Sequence, residues 1–248
     1  MDNNISFTES LKSVCSKMYI ELSEDELERF SVFYELLLEY NKRYNLTAIT
    51  EEQDVIYKHF ADSLSIIMFN HNEIIKELND RNVIDVGTGA GFPGIPLKIV
   101  NPDMKLTFLD SVNKKLDFVR EVCRQLEFKD ISVIHGRAED FGKDREYREK
   151  YDICLSRAVA ALPVLSELCI PFVKPGGIFV SYKGSDIEQE MKESENAVKI
   201  LGGSLSEIKT FNIPDTDIKR ALILIRKEKN TPMQYPRKAG ISVKHPLM

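Results

Sequence analysis

Residues 83–97 read VIDVGTGAGFPGIPL. A short apolar strand, Val83-Ile84-Asp85-Val86, runs straight into Gly87, Gly89, Gly91 and Gly94, with Pro93 and Pro96 among them. Such a junction suits an open α/β sheet, at the point where the first strand's carboxyl end meets the first helix. Ligands bind at that edge. Glycine there permits tight backbone angles and puts no Cβ in a ligand's way. The N–H groups that open the helix can face a polar group.

The downstream texture fits this reading. Leu97 to Val100 closes the helix, which Asn101-Pro102 ends. Strands are expected at 105–109, 131–134, 151–156 and 178–182. A helix is expected from Asn113 to Leu126, with an apolar face of Leu116, Val119, Cys123 and Leu126. Another is expected over 162–173, with Pro163 in its first turn. Strands buried on both faces and alternating with helices predict a parallel sheet sandwiched by helices. Two further strand-like runs, 204–211 and 220–226, are separated by too few residues for a crossover helix, so they should pair antiparallel.

Upstream, residues 1–80 read as helical. Ser23-Glu24-Asp25-Glu26 fits a capping box, followed by Leu27, Phe30, Tyr34, Leu37 and Leu38 at helical spacing. That helix should end near Asn41. Thr50-Glu51-Glu52-Gln53 offers a second box, with Ile56, Phe60, Leu64 and Ile67 as the stripe behind it. A third helix is expected over 72–79. Amphipathic helices must lie on something, so we expect 1–80 to be an extension packed on the core, 81–229 to be the main α/β domain, and 230–248 to be an irregular tail.

Composition excludes some functions. The 248 residues are 43% hydrophobic and 29% charged, with a formal net charge of -5. A uniformly basic nucleic-acid coat is excluded, although a local basic surface is not. From Arg226 onward there are Arg226, Lys227, Lys229, Arg237, Lys238 and Lys244 against Glu228 alone. Cys15, Cys123, Cys154 and Cys169 lie too far apart in sequence for a redox motif or zinc knuckle, and read as reduced core thiols. His59, His71, His135 and His245 are too scattered for a metal site, and no metal is expected. The N-terminus carries no apolar signal segment and no run could span a bilayer, so a cytoplasmic location is expected.

The turn also narrows the ligand. Gly87-x-Gly89-x-Gly91 is not the dinucleotide pattern as usually placed, and no GKS or GKT follows to make a phosphate loop. Asp85 at the strand end could hold an ammonium group or a water beside it. Asp110 ends the second strand, about 20 residues past the turn, where a carboxylate can accept both ribose hydroxyls. After the third strand, Ala138 and Glu139 fall where an adenine edge would lie. Glu139 reads equally as the N-cap acid of a short helix.

Together these features resemble the class I S-adenosylmethionine-dependent methyltransferases. More narrowly, GTGAGFPGIPL resembles the motif of the small-subunit rRNA guanine-N7 methyltransferases, the glucose-inhibited division protein B family. Tyr44 to Ile49, His59 to Leu64, Ser156-Arg157-Ala158, Tyr182-Lys183-Gly184 and Tyr235 to Gly240 are similar to other segments of that family, in order, from about residue 20 to the end.

The resemblance implies a doubly wound, mostly parallel seven-stranded Rossmann-like sheet with an antiparallel C-terminal strand and a helical N-terminal extension. The implied cofactor is S-adenosyl-L-methionine. Asp85, Gly87, Gly89, Phe92, Asp110, Ser111, Val112, Ala138, Glu139 and Arg157 are the expected cofactor-site residues. The implied partner is 16S rRNA, within the small ribosomal subunit or its precursor, methylated at N7 of guanine-527 in the 530 loop. No membrane and no DNA partner is expected, and a monomer is. Guanine N7 has an exposed lone pair, so no general base is needed. Arg157 and Lys183 are the candidates to position the base, whose O6 edge accepts hydrogen bonds. Phe92 or Tyr182 could stack on it. Lys183, Arg237 and Lys238 are the candidate RNA contacts. Two other readings stay open: a non-catalytic ribosome-assembly factor that binds RNA, and a methyltransferase of small molecules.

Overall fold

The computed structural model describes residues 6–69, 72–76 and 78–247. His71 and the first five residues lie outside them. Seven strands form one sheet: β1 (Asn82–Val86), β2 (Lys105–Asp110), β3 (Ile131–His135), β4 (Tyr151–Arg157), β5 (Val173–Lys183), β6 (Gly203–Asn212) and β7 (Lys219–Lys227). Their order is β3-β2-β1-β4-β5-β7-β6. The first five are parallel. Strand β7 runs antiparallel to β6, as the short link at 213–218 requires, and antiparallel to β5 as well. The expected doubly wound, mostly parallel sheet is therefore present.

The period-2 pattern shows why both faces are covered. Ile153 and Leu155 of β4 face one core, and Cys154 faces the other. Ile178 and Val180 of β5 divide from Phe179 in the same way. The first core is roofed by α6 (Gly94–Val100), α7 (Asn113–Gln125) and the N-terminal helices. The second is roofed by α8 (Ala138–Phe141), α9 (Leu162–Cys169) and α10 (Glu188–Ile200). The four cysteines are free and buried.

The N-terminal helices are α1 (Phe7–Lys17), α2 (Glu24–Tyr44), α3 (Glu52–Val55), α4 (Asp62–Leu64) and α5 (Glu73–Lys76). Helix α2 starts where the sequence places it. The Glu26 amide donates to Ser23 Oγ at 3.3 Å, and the Ser23 amide donates to Glu26 Oε2 at 2.7 Å. The second box does not form. Glu51 is the N-cap of α3, without a side-chain cap bond. A π turn, Ile56–Ala61, then links α3 to α4, and a 3-10 turn, Ser65–Phe69, follows. Mixed turns change the angle advanced per residue. Ile56, Phe60 and Leu64 are buried as expected, but Ile66 rather than Ile67 continues the stripe.

Helix α9 is shorter than expected and hands over to a 3-10 turn, Ile170–Phe172. The C-terminal tail contains α11 (Ile241–Lys244) and is otherwise irregular. It is fastened by Arg148, whose guanidinium donates to the carbonyls of Tyr235 at 2.7 Å and Thr231 at 2.5 Å. No helix among the described residues is long and apolar enough to cross a membrane. Among the same residues, no group of His, Cys, Asp or Glu is arranged to hold a metal ion.

Candidate functional site

The glycine turn is bonded to the end of β2. The Gly87 amide donates to the Leu109 carbonyl at 2.8 Å. Gly87 and Gly91 have φ of +71° and +85°. A Cβ on Gly91 would stand 2.2 Å from Ile95 Cδ1, so only glycine lets α6 begin there.

Two carboxylates end neighbouring strands and do different things. Asp85 is fully buried behind the turn. Its Oδ2 accepts from Thr88 Oγ1 at 2.6 Å and from the Gly94 amide at 3.1 Å. Its Oδ1 has no partner among the described residues. Burial pushes its carboxyl up to about 6, against the pull of those two hydrogen bonds. Asp110 is nearly as buried but lines a cavity. Its Oδ2 accepts from the Gly89 amide at 2.9 Å and its Oδ1 from the Val112 amide at 2.8 Å. Each carboxylate oxygen can take two donors, so each keeps a lone pair free while the backbone fixes the group's orientation.

Asp110 lines a rim cavity of about 360 Å³ at the carboxyl ends of the strands. Gly87, Ser111, Val112, Ala138 and Glu139 line it too, joined by Ala158 and Val159 beyond β4. Glu139 sits in the first turn of α8, whose N-cap is Arg137, so the N-cap reading of Glu139 does not apply. Four of the residues expected here stand elsewhere. Gly89 braces Asp110 through its amide, and Asp85 lies buried behind the turn. Phe92 and Arg157 belong to a second constellation.

That constellation borders a side cavity of about 320 Å³. Arg157, at the end of β4, donates to Asp62 Oδ2 at 3.0 Å, to the Lys58 carbonyl at 3.2 Å and to His59 Nδ1 at 3.1 Å. Arg220, in β7, takes the other Asp62 oxygen at 3.0 Å. An arginine only donates, so His59 Nδ1 must accept and its proton sits on Nε2, 3.0 Å from Thr47 Oγ1. Burial, then the neighbouring Arg157 charge, holds the imidazole down to about 3. His59 stacks on Phe92 with ring centroids 4.4 Å apart, and the Arg157 guanidinium lies 5.0 Å from the same ring. Phe92 is thus packed inward against the π turn and is 5% exposed. Tyr182 is buried as well, and its hydroxyl donates to the Ser63 carbonyl at 2.9 Å.

Lys183 donates to the Ala160 carbonyl at 2.7 Å and pairs with Glu190 at 2.8 Å. Arg237, read as an RNA contact, is engaged inside the protein. Its guanidinium grips the buried Glu167 carboxylate at 2.5 Å and 2.9 Å, and its amide donates to the same group at 2.7 Å. Lys238 is exposed. Sequence reading missed Asp62 and Arg220 as site residues. The signal for Asp62 was present, because an acid flanked by Phe60, Ala61 and Leu64 must be paired when it folds inward. Arg220 gives no such signal.

The chain matches the family GidB, rRNA small subunit methyltransferase G, over residues 26–221. It is 47% identical to the ribosomal RNA small subunit methyltransferase G of Lachnoclostridium phytofermentans, covering 100% of this chain and 99% of that one. The enzyme of the same name from Acetivibrio thermocellus is 50% identical, covering 92% and 91%. Among solved structures, a chain of the complex between the Haloferax volcanii Trm112 methyltransferase activator and a methyltransferase aligns with a TM-score of 0.55 at 15% identity. That alignment covers 78% of this chain and 98% of the other, a likeness of fold.

Proposed function

This chain belongs to the rRNA small subunit methyltransferase G family, and from that premise we propose that it methylates N7 of a guanine in the 530 loop of 16S rRNA. It is an S-adenosyl-L-methionine-dependent methyltransferase that acts on rRNA. The donor, when bound, supplies a methyl group already activated on a sulfonium.

The residues of the rim cavity suit that donor. Asp110, held by two backbone amides, offers free lone pairs to a ribose diol. Ala138 and Glu139 lie where the base of a nucleoside would reach. Asp85 lies behind the turn and lines neither cavity, and its Oδ1, without a partner among the described residues, suits a water between it and the donor's ammonium group.

The observation that carries the N7 reading is the state of the possible bases around the side cavity. His59 Nδ1 is taken by Arg157, and both Asp62 oxygens are taken by arginines. Such a site suits an acceptor that attacks with a lone pair it already has. It does not suit one that must first lose a proton. The chain's contribution is then positioning, exclusion of water and a fixed polar surround. In this reading residues 1–80 wall the acceptor side, 81–229 carry the chemistry and 230–248 brace it. The monomer is the working unit, acting on rRNA of the small subunit or its precursor.

The test is transfer from labelled donor to small-subunit rRNA taken from cells lacking the modification. The reading requires label at N7 of a single guanine, mapped by the strand scission that 7-methylguanine permits. Label on a ribose, on an exocyclic nitrogen or on no rRNA at all would refute it.

A further inference from the structure

We propose that Arg148 is a positioning residue for the methyl donor. It joins the C-terminal tail to the end of α8, and that joint sets the wall on which the donor's base rests. This rests on the donor reading of the rim cavity and adds what holds one wall of it.

Helix α8 cannot hold itself in place. It is a single turn, Ala138–Phe141, and none of its residues is buried. A helix that short is not stable on its own hydrogen bonds. Yet it presents Ala138 and Glu139 to the rim cavity, with Gly136 and Arg137 just before it. Its position must come from what touches it. On one side Phe141 folds back onto Gly136, where a Cβ would stand 2.3 Å from Phe141 Cε2, and Tyr147 meets the same ring edge-on at 5.1 Å. On the other side is the tail.

Arg148 is buried, and each of its side-chain hydrogen bonds goes to a carbonyl. Nη1 donates to Gly142 at 2.8 Å and to Tyr235 at 2.7 Å, and Nη2 to Thr231 at 2.5 Å and to Pro232 at 3.3 Å. A planar guanidinium spread over four carbonyls fixes the path of the backbone that carries them. Three of those carbonyls belong to the tail and the fourth caps α8. Gly142 completes the joint. Its φ of -66° suits any residue, but a Cβ there would stand 3.0 Å from Pro236 Cγ and 3.0 Å from the Ala138 carbonyl oxygen. Glycine therefore lets the tail lie directly on α8. Beside Arg148, Glu149 Oε1 accepts from the Thr231 amide at 2.7 Å and pins the tail's start. Arg148 itself lines neither cavity, so it acts through α8.

Two variants test the joint from its two sides. Gly142→Val drives a wedge between α8 and Pro236 and keeps the guanidinium. Arg148→Lys keeps the charge, but an ammonium cannot span four carbonyls. Each should raise the donor's Kd by calorimetry, and its KM in transfer to rRNA, by about tenfold, short of the hundredfold of a fully misplaced reactant. Gly142→Ala, the thinner wedge, should raise both by about threefold. In all three, kcat at saturating donor and the KM for rRNA should stay within about twofold of the wild type. A general loss of stability behaves differently. It lowers the amount of folded protein, and so the apparent kcat, and leaves both KM values where they were.

Wild-type donor affinity in folded Gly142→Val would overturn the inference. So would a fall in kcat with both KM values unchanged, which would reduce Arg148 to a support of the fold. A rise in the KM for rRNA without one for the donor would also overturn it, by setting the joint on the RNA side. A wild-type protein that binds no donor would fail the reading of the rim cavity itself, a result separable from all of these.

Discussion

Two stretches of chain stand outside the strand–helix alternation, and both are fastened by a buried acid gripping arginine. The N-terminal helices are held by Asp62, which pairs with Arg157 and Arg220. The C-terminal tail is held by Arg237 on Glu167, whose side chain is 1% exposed. The chemistry is the same, but the placement differs. The N-terminal part supplies Ile49, Lys58, His59 and Asp62 to the side cavity. The tail lines neither cavity. It packs on α8 and α9, which carry Ala138, Glu139 and Leu168 of the rim cavity, and Pro236 approaches Gly142 just past α8. A basic tail in a sequence is therefore not yet an RNA-binding tail. A cation counts toward a ligand only when the fold leaves its donors free.

The comparison breaks most sharply at Asp62. Asp62→Ala leaves two arginines without their shared carboxylate. Stability should fall by roughly 3–5 kcal/mol, as when one partner of a buried pair is removed. Methyl transfer to rRNA, measured where the variant is still folded, should fall by about 100-fold because the acceptor wall loses its shape. Donor affinity should move little. If transfer survives in a folded Asp62→Ala protein, the N-terminal clasp is mere scaffolding.

Arg237→Ala is the matching cut on the other side. It strands the Glu167 carboxylate among apolar neighbours, so a stability loss of roughly 3 kcal/mol is expected. Transfer per folded molecule should stay within about threefold, with any change in donor affinity and none in the salt slope of rRNA binding. A reduced salt slope would return Arg237 to the RNA surface.

The sheet was legible because its signals are local and repeated: apolar strands of period 2, helices ending at glycine or proline, and a link too short for a crossover. Helix α10 was not, since only Ser194, Ala197 and Val198 are buried along it and its apolar period is faint. The rim cavity was largely legible as well. Gly87, Asp110, Ser111, Val112, Ala138 and Glu139 sit at strand ends, and strand ends are fixed by topology. The side cavity was not. Asp62, Arg157 and Arg220 meet from three distant segments, and no local pattern reports which cation finds which acid. The inward turn of Phe92 has the same cause, because its partners His59, Phe33 and Phe60 lie in the N-terminal helices.

Acid should separate the two clasps. The folded His59 titrates at about 3, below its free value of 6.5. Between those values the unfolded chain binds the proton and the native one does not, so the stability His59 contributes is full above about 6.5 and is lost as pH falls toward 3. Asp85 works the other way. Its value is raised to about 6 from 3.8, so the native state binds the proton first and stability declines as pH rises across that window. The Glu167–Arg237 pair contains no imidazole. Lowering pH from 7.5 to 5 should therefore raise the opening equilibrium, read from amide exchange after correction for the slower intrinsic rate, in residues 52–69 more than in 230–247. His59→Gln, which can accept from Arg157 and donate to Thr47, should abolish the difference. An equal rise in the opening of both segments would show that the imidazole is not what titrates in the N-terminal clasp.

The smallest effect is reserved for Lys238, the exposed neighbour of Arg237. Its charge is free where that of Arg237 is not, so it isolates what the tail does by charge alone. If the tail is a brace, Lys238→Ala should change stability by no more than about 0.5 kcal/mol, as at an ordinary surface site. The salt slope of rRNA binding should be unchanged. A phosphate contact would instead lower that slope by about 1. That single measurement decides whether the tail touches RNA at its surface while holding the fold from within, or only holds the fold. The packing on α8 and α9 favours the second, because the engaged tail cation, Arg237, points into the protein, where its guanidinium binds Glu167 at 2.5 Å and 2.9 Å.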